Sequence, residues 1–595
     1  MSILPDLKER FRQALAGRVE DPDPLLDMVR RSQDAKFGDY QANFAMSLGK
    51  QLGRPPREVA AEIVSRLAVS DFCAPPEVAG PGFINLRIKD QWLTERLTAA
   101  LADPRLGVPR VARPRMFVID YSAPNVAKPM HVGHIRSTVI GDALYRMLRF
   151  LGHTVIGDNH IGDWGAQFGM ILYGYKHFLE TEAYRRNPVA ELARLYRLVR
   201  RLVDFQQKGE PLPEAEQSLA AAHADIAAAV LAETAALHAG HAENRRLWRQ
   251  FLPVCLEDIH RIYRRLDVHF DETLGESFYE DQLAGTVDEL LRRGIATPSD
   301  GAVCVFIEGQ PAPMIVRKQD GAFLYATTDL ATIRYRTERW HPDAILYVVD
   351  HRQKLHFELL FATAARLGYE KLELTHVSFG TVLGEDGRPF RTRAGDTVGL
   401  EGLLDEAVRR AAQIVSANDD AKPDGPELSA AERAQVAETV GIAALKYADL
   451  SQNRSSDYVF SYDKMLAMNG NTATYMQYAY ARVRSIFARG QVDVPRLRSS
   501  GSAILLGCGA ERALGLEVLR FTEALELAAA EYRPNQLTSY LFELANRYFT
   551  FYEQCPVLSA PSPELRQSRL LLCDLTARTI RKGLELLGIR VVEKM

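Results

Sequence analysis

The segment Asp120-Tyr-Ser-Ala-Pro-Asn-Val-Ala-Lys-Pro-Met-His-Val-Gly-His134 is the most informative stretch of this chain. His131 and His134 stand three apart at what the pattern predicts to be a helix start, so both can face one ligand. Gly133 would let a base or ribose approach the backbone, and a helix N-terminus favours phosphate. An imidazolium placed there can donate to phosphate oxygens as charge moves in a transition state. Two other readings compete: a histidine that only caps the helix, and a metal pair. An H-x-G-H match arises by chance in such a chain with a probability of roughly 0.02, so four letters are only suggestive. The metal reading lacks a nearby Cys or carboxylate at ligand spacing.

These residues need elements to position them. Met116–Ile119 is a short apolar run suited to a buried strand, and Ser122–Met130 has Pro and Asn loop chemistry. Ile135, Val139, Ala143, Leu144, Met147 and Leu151 then repeat at helical spacing until Gly152, and 154–156 reads as another strand. Strand, loop, helix, strand is the unit of a doubly wound parallel sheet. The pattern returns as strand 344–349, helix 356–367 closed by Gly368, and strand 376–382. Between these halves, roughly 175–265 is helical and rich in Ala, Leu, Arg and Glu. Residues 1–110 read as mixed α and β, with helical periods over 6–16 and 56–67 and a strand at 83–88. From about 400 onward the pattern is almost wholly helical.

Bulk properties set the frame. At 595 residues the chain is too long for one compact domain. No 18-residue apolar run occurs, and the charged N-terminus does not fit a secretory signal, so membrane and export are not expected. Six cysteines without a CxxC pair fit a reducing cytoplasm better than a disulfide framework or zinc ribbon. A formal net charge of −3 leaves a nucleic-acid partner to local patches.

Taken whole, 120–134 is similar to the "HIGH" signature of class I aminoacyl-tRNA synthetases, and its flank through Leu144 resembles the arginyl family. The same resemblance runs through NHIGDWGAQFG (159–169), GESFY (275–279), LYATTDLA (324–331), YVVDHRQKLHF (347–357) and GEDGRPFRTRAGDTV (384–398). It continues through KYADLSQNRSSDYVFSYDKML (446–466), GNTATYMQYAYARVRSI (470–486) and LLGIRVVEKM (586–595). FGDYQANFAM (37–46) and GPGFINL (80–86) match the family's extra N-terminal domain. Essentially the whole chain is covered.

The resemblance implies an α/β fold: a Rossmann-type doubly wound parallel-sheet catalytic domain at 113–400 with inserted helices. A small α+β domain at 1–112 would precede it and contact the tRNA elbow. An all-α helical bundle at 401–595 would bind the anticodon. The implied reaction joins L-arginine to tRNA-Arg at the expense of ATP with Mg2+, without a tightly bound metal or organic cofactor. A monomer in the cytoplasm is implied, with neither membrane nor DNA as partner, and activation would depend on bound tRNA. Tyr325 and Asp329 would receive the guanidinium, with Glu276 as a second carboxylate, because planar charge-assisted bonds discriminate arginine from lysine. Ala123, Pro124, Asn125 and Gln353 would hold the α-amino and carboxylate end beside His134. Asp120 reads either as a site residue or as a structural acid at the strand end.

One departure stands out. Where class I enzymes carry a KMSKS loop, this chain has Gly387-Arg-Pro-Phe-Arg-Thr-Arg393, with no lysine. In the arginyl family a lysine before the histidine motif substitutes, and Lys128 stands there. Arg391 is the next candidate for phosphate, while Arg388 and Arg393 could equally form a solvated basic loop. For RNA, Tyr475, Tyr478, Tyr480 and Phe487 alternate with arginines, a composition suited to splayed bases or to an ordinary amphipathic helix. By similarity Tyr475, Tyr478, Arg482 and Met595 would meet the tRNA. Other class I ligases, a synthetase-derived RNA-binding protein without catalysis, and a working paralogue that loads tRNA for a peptide-modifying pathway are the competing readings.

Overall fold

Met116–Asp120 (β1) lies inside a four-stranded, all-parallel sheet in the computed structural model, which describes residues 2–126, 128, 130–390, 399–423 and 425–595. Phe117, Val118 and Ile119 are all buried, as a strand covered on both faces requires. Thr154–Asp158 (β2) pairs with one edge of β1, placing Asp158 opposite Asp120. Ala344–Tyr347 (β3) pairs with the other edge and places Tyr347 opposite Asp120; Glu373–His376 (β4) lies beyond it. The connection from β1 thus leaves in one direction and the later half in the other. That reversal opens a crevice beyond the carboxyl ends of β1 and β3, where open sheets bind ligands.

Helix α1 (Val132–Leu151) follows β1 and ends where the spacing predicts, with Gly152 at φ +103°. Helices α2 (Tyr325–Trp340) and α3 (Lys354–Ala364) cover the sheet, and Ile333 and Leu360 pack with Val118 and Ile345 into its core. Six helices between Ala166 and Leu266 form the insertion between β2 and the later half.

The expected strand 376–382 is instead two pieces. The chain breaks after His376, and Val382–Leu383 pairs with Tyr458–Val459 in the region expected to be almost wholly helical. Backbone bonds from Phe379 N–H to Val349 O and from Gly380 N–H to Arg454 O occupy the intervening residues. A three-stranded antiparallel sheet, Thr297–Ser299, Ala302–Val305 and Met314–Arg317, was not expected from the sequence.

The chain forms two compact units. One comprises Val111–Leu466 and Leu586–Ile589. It includes α4 (Leu400–Asp420) and α5 (Ala430–Leu450), so this division does not coincide with the boundary expected at 401. Fully buried Arg136 of α1 pairs with buried Asp449 of α5 at 3.0 Å, binding these helices to the sheet domain. The other unit joins Met1–Arg110 to Ala467–Glu585 and Arg590–Met595. It contains an antiparallel sheet of Val29–Arg31, Tyr40–Ala42, Phe83–Leu86 and Glu77–Ala79, together with the C-terminal helices. Among the described residues no single helix is long and apolar enough to cross a membrane.

Candidate active site

Immediately after β1 the backbone enters the left-handed region at two non-glycine residues, Ser122 (φ +71°) and Ala123 (φ +45°). Such geometry costs energy and persists only where surrounding bonds over-determine it. Here they do. Ser122 N–H donates to Ser137 Oγ (2.8 Å), and Ser122 Oγ bonds Thr138 Oγ1 (2.8 Å) and Tyr263 Oη (2.7 Å). Ala123 N–H donates to Asn159 Oδ1 (3.1 Å), and Asn159 Nδ2 donates to Tyr263 Oη (3.1 Å). Gly162 N–H donates to Pro124 O, and Gln167 Nε2 donates to Asn125 Oδ1 at 3.2 Å. The stretch Ala123–Asn125 is therefore a rigid ledge beside the crevice.

The two histidines form the cap of α1. Gly133 N–H donates to His131 Nδ1 (3.1 Å), and His131 N–H donates to His134 Nδ1 (3.0 Å). Burial pushes the His134 imidazole down to about 3, with His131 and Lys128 adding. Burial also lowers His131, with Lys128 contributing. Both rings are then neutral at physiological pH, and with Nδ1 accepting, each carries its proton on Nε2. The expected imidazolium is replaced by two neutral Nε2–H donors, their ring centroids 3.9 Å apart. The capping and phosphate-handling readings are compatible, because capping is what fixes the tautomer. A Cβ on residue 133 would lie 2.9 Å from His131 Cε1, so any side chain there would displace the histidine ring. Lys128 Nζ rests over the Tyr196 ring of the helical insertion, 5.6 Å from its centroid.

Asp120 is a structural acid. Arg336 of α2, fully buried, donates through Nη2 to Asp120 Oδ2 (2.7 Å) and Asp158 Oδ2 (2.8 Å), and through Nε to Asp158 Oδ2 (3.0 Å). Burial opposes charge on the guanidinium, but the two carboxylates outweigh it and hold Arg336 well above its ordinary value. Arg336 thus locks the ends of β1 and β2 together.

Tyr325 and Asp329 occupy successive turns at the start of α2. Glu276 lies in the Gly275–Tyr279 turn facing them. Burial pushes its carboxyl up to about 7 against the pull of His160, with Asp163 and Asp329 adding as like charges. Like carboxylates gathered in poor solvent favour a cation between them. Asp163, 3% exposed, accepts from Ser277 N–H (2.9 Å) and Ser277 Oγ (2.6 Å), fixing the turn that carries Glu276. A Cβ at Gly275 would meet Asp163 Cγ at 2.4 Å, so the turn approaches this closely only as glycine. His356 Nε2 lies 2.6 Å from Asp329 Oδ2. Burial opposes charge on His356, yet the bond to Asp329 prevails and raises its value. Gln353 lies exposed just beyond β3, one turn before His356. Asp163, His356 and Arg336 were not picked out from the sequence, although the first two lie inside stretches 159–169 and 347–357 that carry the family resemblance.

Arg391 and Arg393 lie outside the described residues. Arg388 is exposed on a turn whose Gly384 N–H donates to Arg388 O at 2.7 Å.

Comparison with known proteins decides the family. Residues 96–462 match the model for class I (R) tRNA synthetase catalytic domains, 5–88 the arginyl tRNA synthetase N-terminal domain, and 476–595 the DALR anticodon binding domain. The arginine–tRNA ligase of Rhodopirellula baltica is 46% identical, with 99% of each chain covered. That of Edwardsiella ictaluri is 43% identical over 100% of both. The chain belongs to the class I arginyl-tRNA synthetases. Among solved structures, the arginyl-tRNA synthetase of Plasmodium falciparum superposes with a TM-score of 0.82 at 26% identity, covering 100% of this chain and 99% of that one. The Thermus thermophilus enzyme gives 0.78 at 25% identity over the whole of both chains.

In the synthetase's DALR segment the aromatic and basic stretch divides. Tyr480 and Phe487 are buried; Tyr480 Oη donates to Glu593 Oε1 (2.8 Å), and Arg484 Nε donates to Glu593 Oε2 (2.6 Å). Tyr475 and Tyr478 are half-buried and pack on Phe549, with centroids 5.1 and 5.6 Å away. Arg482 lies between the Tyr478 and Tyr552 rings, 5.2 and 5.3 Å from their centroids. Helices Ala473–Arg489 and Asn535–Gln554 together thus present an aromatic–guanidinium surface. Met595 is half-buried at the end of the chain.

Proposed function

We propose that this synthetase activates L-arginine with ATP and transfers it, through arginyl-adenylate, to the 3′ end of tRNA-Arg. The observation that carries the reading is the pair Glu276 and Asp329, two carboxylates in one pocket at the strand ends beside the ledge Ala123–Asn125. A guanidinium between them relieves their repulsion, with Tyr325 at the rim. The ledge, Gln353 and His134 hold the other end of the amino acid, whose carboxylate then faces the nucleotide.

The arginine carboxylate attacks the α-phosphorus of ATP in line, and pyrophosphate leaves. A terminal ribose hydroxyl of tRNA next attacks the acyl carbon, expelling AMP. Little covalent work falls to the protein; it positions the reactants and stabilises charge. The Nε2–H groups of His131 and His134 donate to phosphate oxygens at the α1 N-terminus. Lys128 leaves the Tyr196 ring to meet the nucleotide's outer phosphates, with Arg391 as second cation. Magnesium would enter as part of the ATP complex and would neutralise phosphate charge there, while Asp120 and Asp158 stay paired with Arg336. Neutral analogues such as citrulline leave the pocket carboxylates unpaired, so selection needs no editing step.

Tyr475, Tyr478, Arg482 and Met595 meet the anticodon loop, and the N-terminal domain meets the tRNA elbow. The enzyme works as a cytoplasmic monomer. The test is charging of radiolabelled arginine onto a tRNA-Arg transcript with and without ATP, beside lysine and citrulline. ATP-dependent charging of arginine alone is expected. Failure of a folded, tRNA-binding preparation to charge would leave an RNA-binding protein in place of an enzyme.

A further inference from the structure

Five of the six cysteines are buried, and Cys508 is exposed. Its sulfur lies 3.3 Å from that of Cys555, which is 1% exposed. Cys508 is the N-cap of helix Gly509–Leu519; Cys555 is the C-cap of helix Asn535–Gln554. The other four thiols are buried in other elements.

Neighbouring charges hold this approach. Glu511 Oε2 accepts from Gly507 N–H (2.8 Å) and Cys508 N–H (3.1 Å), fixing the Cys508 backbone. Arg569, itself 8% exposed, donates through Nε to Glu511 Oε1 (2.7 Å) and through Nη1 to Pro556 O (2.8 Å). One guanidinium therefore clamps the chain beside each cysteine. Closing the sulfurs to a bond of about 2.05 Å needs only a small side-chain movement. A metal centre is the other chemistry two thiols and a carboxylate allow. It fits less well, because both Glu511 oxygens are already engaged and Arg569 would have to be displaced.

We propose that Cys508 and Cys555 are a reversible thiol–disulfide pair, oxidised by exchange with a low-molecular-weight disulfide. The exposed Cys508 thiolate attacks one sulfur of that disulfide and releases one small thiol. The Cys555 sulfur, losing its proton, then attacks Cys508 Sγ from inside the fold and expels the second. Two protein thiols lose two electrons and two protons, and one small disulfide becomes two thiols. The bond joins the start of one helix to the end of the helix that carries Asn546, Phe549 and Tyr552. It adds a covalent tie at the end of the helix that supplies Phe549 and Tyr552 to the aromatic surface.

The test equilibrates the full-length chain with defined ratios of oxidised to reduced glutathione, quenches with acid, labels with maleimide in denaturant and maps the peptides. Expected are a Cys508–Cys555 linked peptide, loss of maleimide labelling at both positions, and recovery of both with dithiothreitol. Thermal unfolding of the oxidised form should move up by a few degrees. Cys508→Ser should abolish the linked peptide, and Cys73→Ser should leave it intact. Three results would each overturn the proposal: a glutathione adduct that stays on Cys508, a linked peptide that survives in C508S, or stoichiometric zinc in the reduced chain shielding both thiols.

Discussion

Glu276 makes arginine binding a proton-releasing event. Its carboxyl is pushed up to about 7 by burial in the free protein. At pH 8 about nine tenths of it is then ionised, and at pH 6 about one tenth. A guanidinium beside it favours the ionised form and lowers the bound-state value below the free one. Affinity must therefore fall as pH drops through the free value: about tenfold between pH 8 and pH 6, and a further tenfold per unit below that. Above pH 8 it should be flat until the ligand's own amino group titrates. Isothermal titration of arginine at pH 6, in two buffers of different ionisation enthalpy, should report release of nearly one proton. At pH 8 the release should be near zero. Glu276→Gln should weaken binding at pH 8 by about 1.5–3 kcal/mol, the worth of a hydrogen bond to a charged group. It should also erase the proton release. His356 shares the pocket through Asp329, and its protonation would weaken arginine binding in the same direction. A pH dependence that survives in E276Q would assign the effect to His356 and refute the argument, as would flat affinity from pH 6 to 8 in the parent chain.

Three further outcomes follow from the same geometry. Asp163→Ala frees the turn bonded through Ser277 and should raise KM for arginine about 10–100-fold in pyrophosphate exchange with tRNA present, with KM for ATP little changed. Equal rises for both substrates would mean a general loss of structure. Arg336→Met leaves Asp120 and Asp158 buried and unpaired, and denaturant unfolding should show a loss of about 3–5 kcal/mol. Gly133→Ala drives a methyl into the His131 ring; kcat should fall about 10²-fold while unfolding stability stays within about 0.5 kcal/mol.

The parallel core of the fold was legible because its signals are local. Apolar runs such as Met116–Ile119 and the spacing ended by Gly152 depend on near neighbours in sequence. The break after His376 was not legible, since it is made by Val349 and Arg454, which reach Phe379 and Gly380 from far along the chain. In the site, His131 and His134 were visible as a pair, but their neutral state was not. That state comes from burial and from backbone donors whose direction only the cap geometry defines. Asp163 acts by holding Ser277, next to Glu276, and His356 by holding Asp329, and no spacing rule links residues 114 or 27 positions apart. Tyr480 and Phe487 show the limit of composition: it left them suited either to splayed bases or to an amphipathic core, and the phase of their helix turns them inward.

The unit that joins Met1–Arg110 to the C-terminal helices also sets a schedule for making the protein. The N-terminal domain's core is almost self-contained, drawing on residues between Ile3 and Leu93, with Leu516 as its one buried contribution from the distant chain. Its polar partners arrive much later: Arg512 on Asp39 (2.8 Å), and Glu523 on Tyr40 (2.6 Å), 483 residues downstream. At roughly 5–20 residues per second, a ribosome needs about half a minute to a minute and a half to cover that distance. The early domain can fold on emergence and wait with Asp39 and Tyr40 hydrated. The late helices then dock through these polar contacts and through Leu506, Leu516 and Leu519, so the nascent chain carries only a small apolar face through that interval.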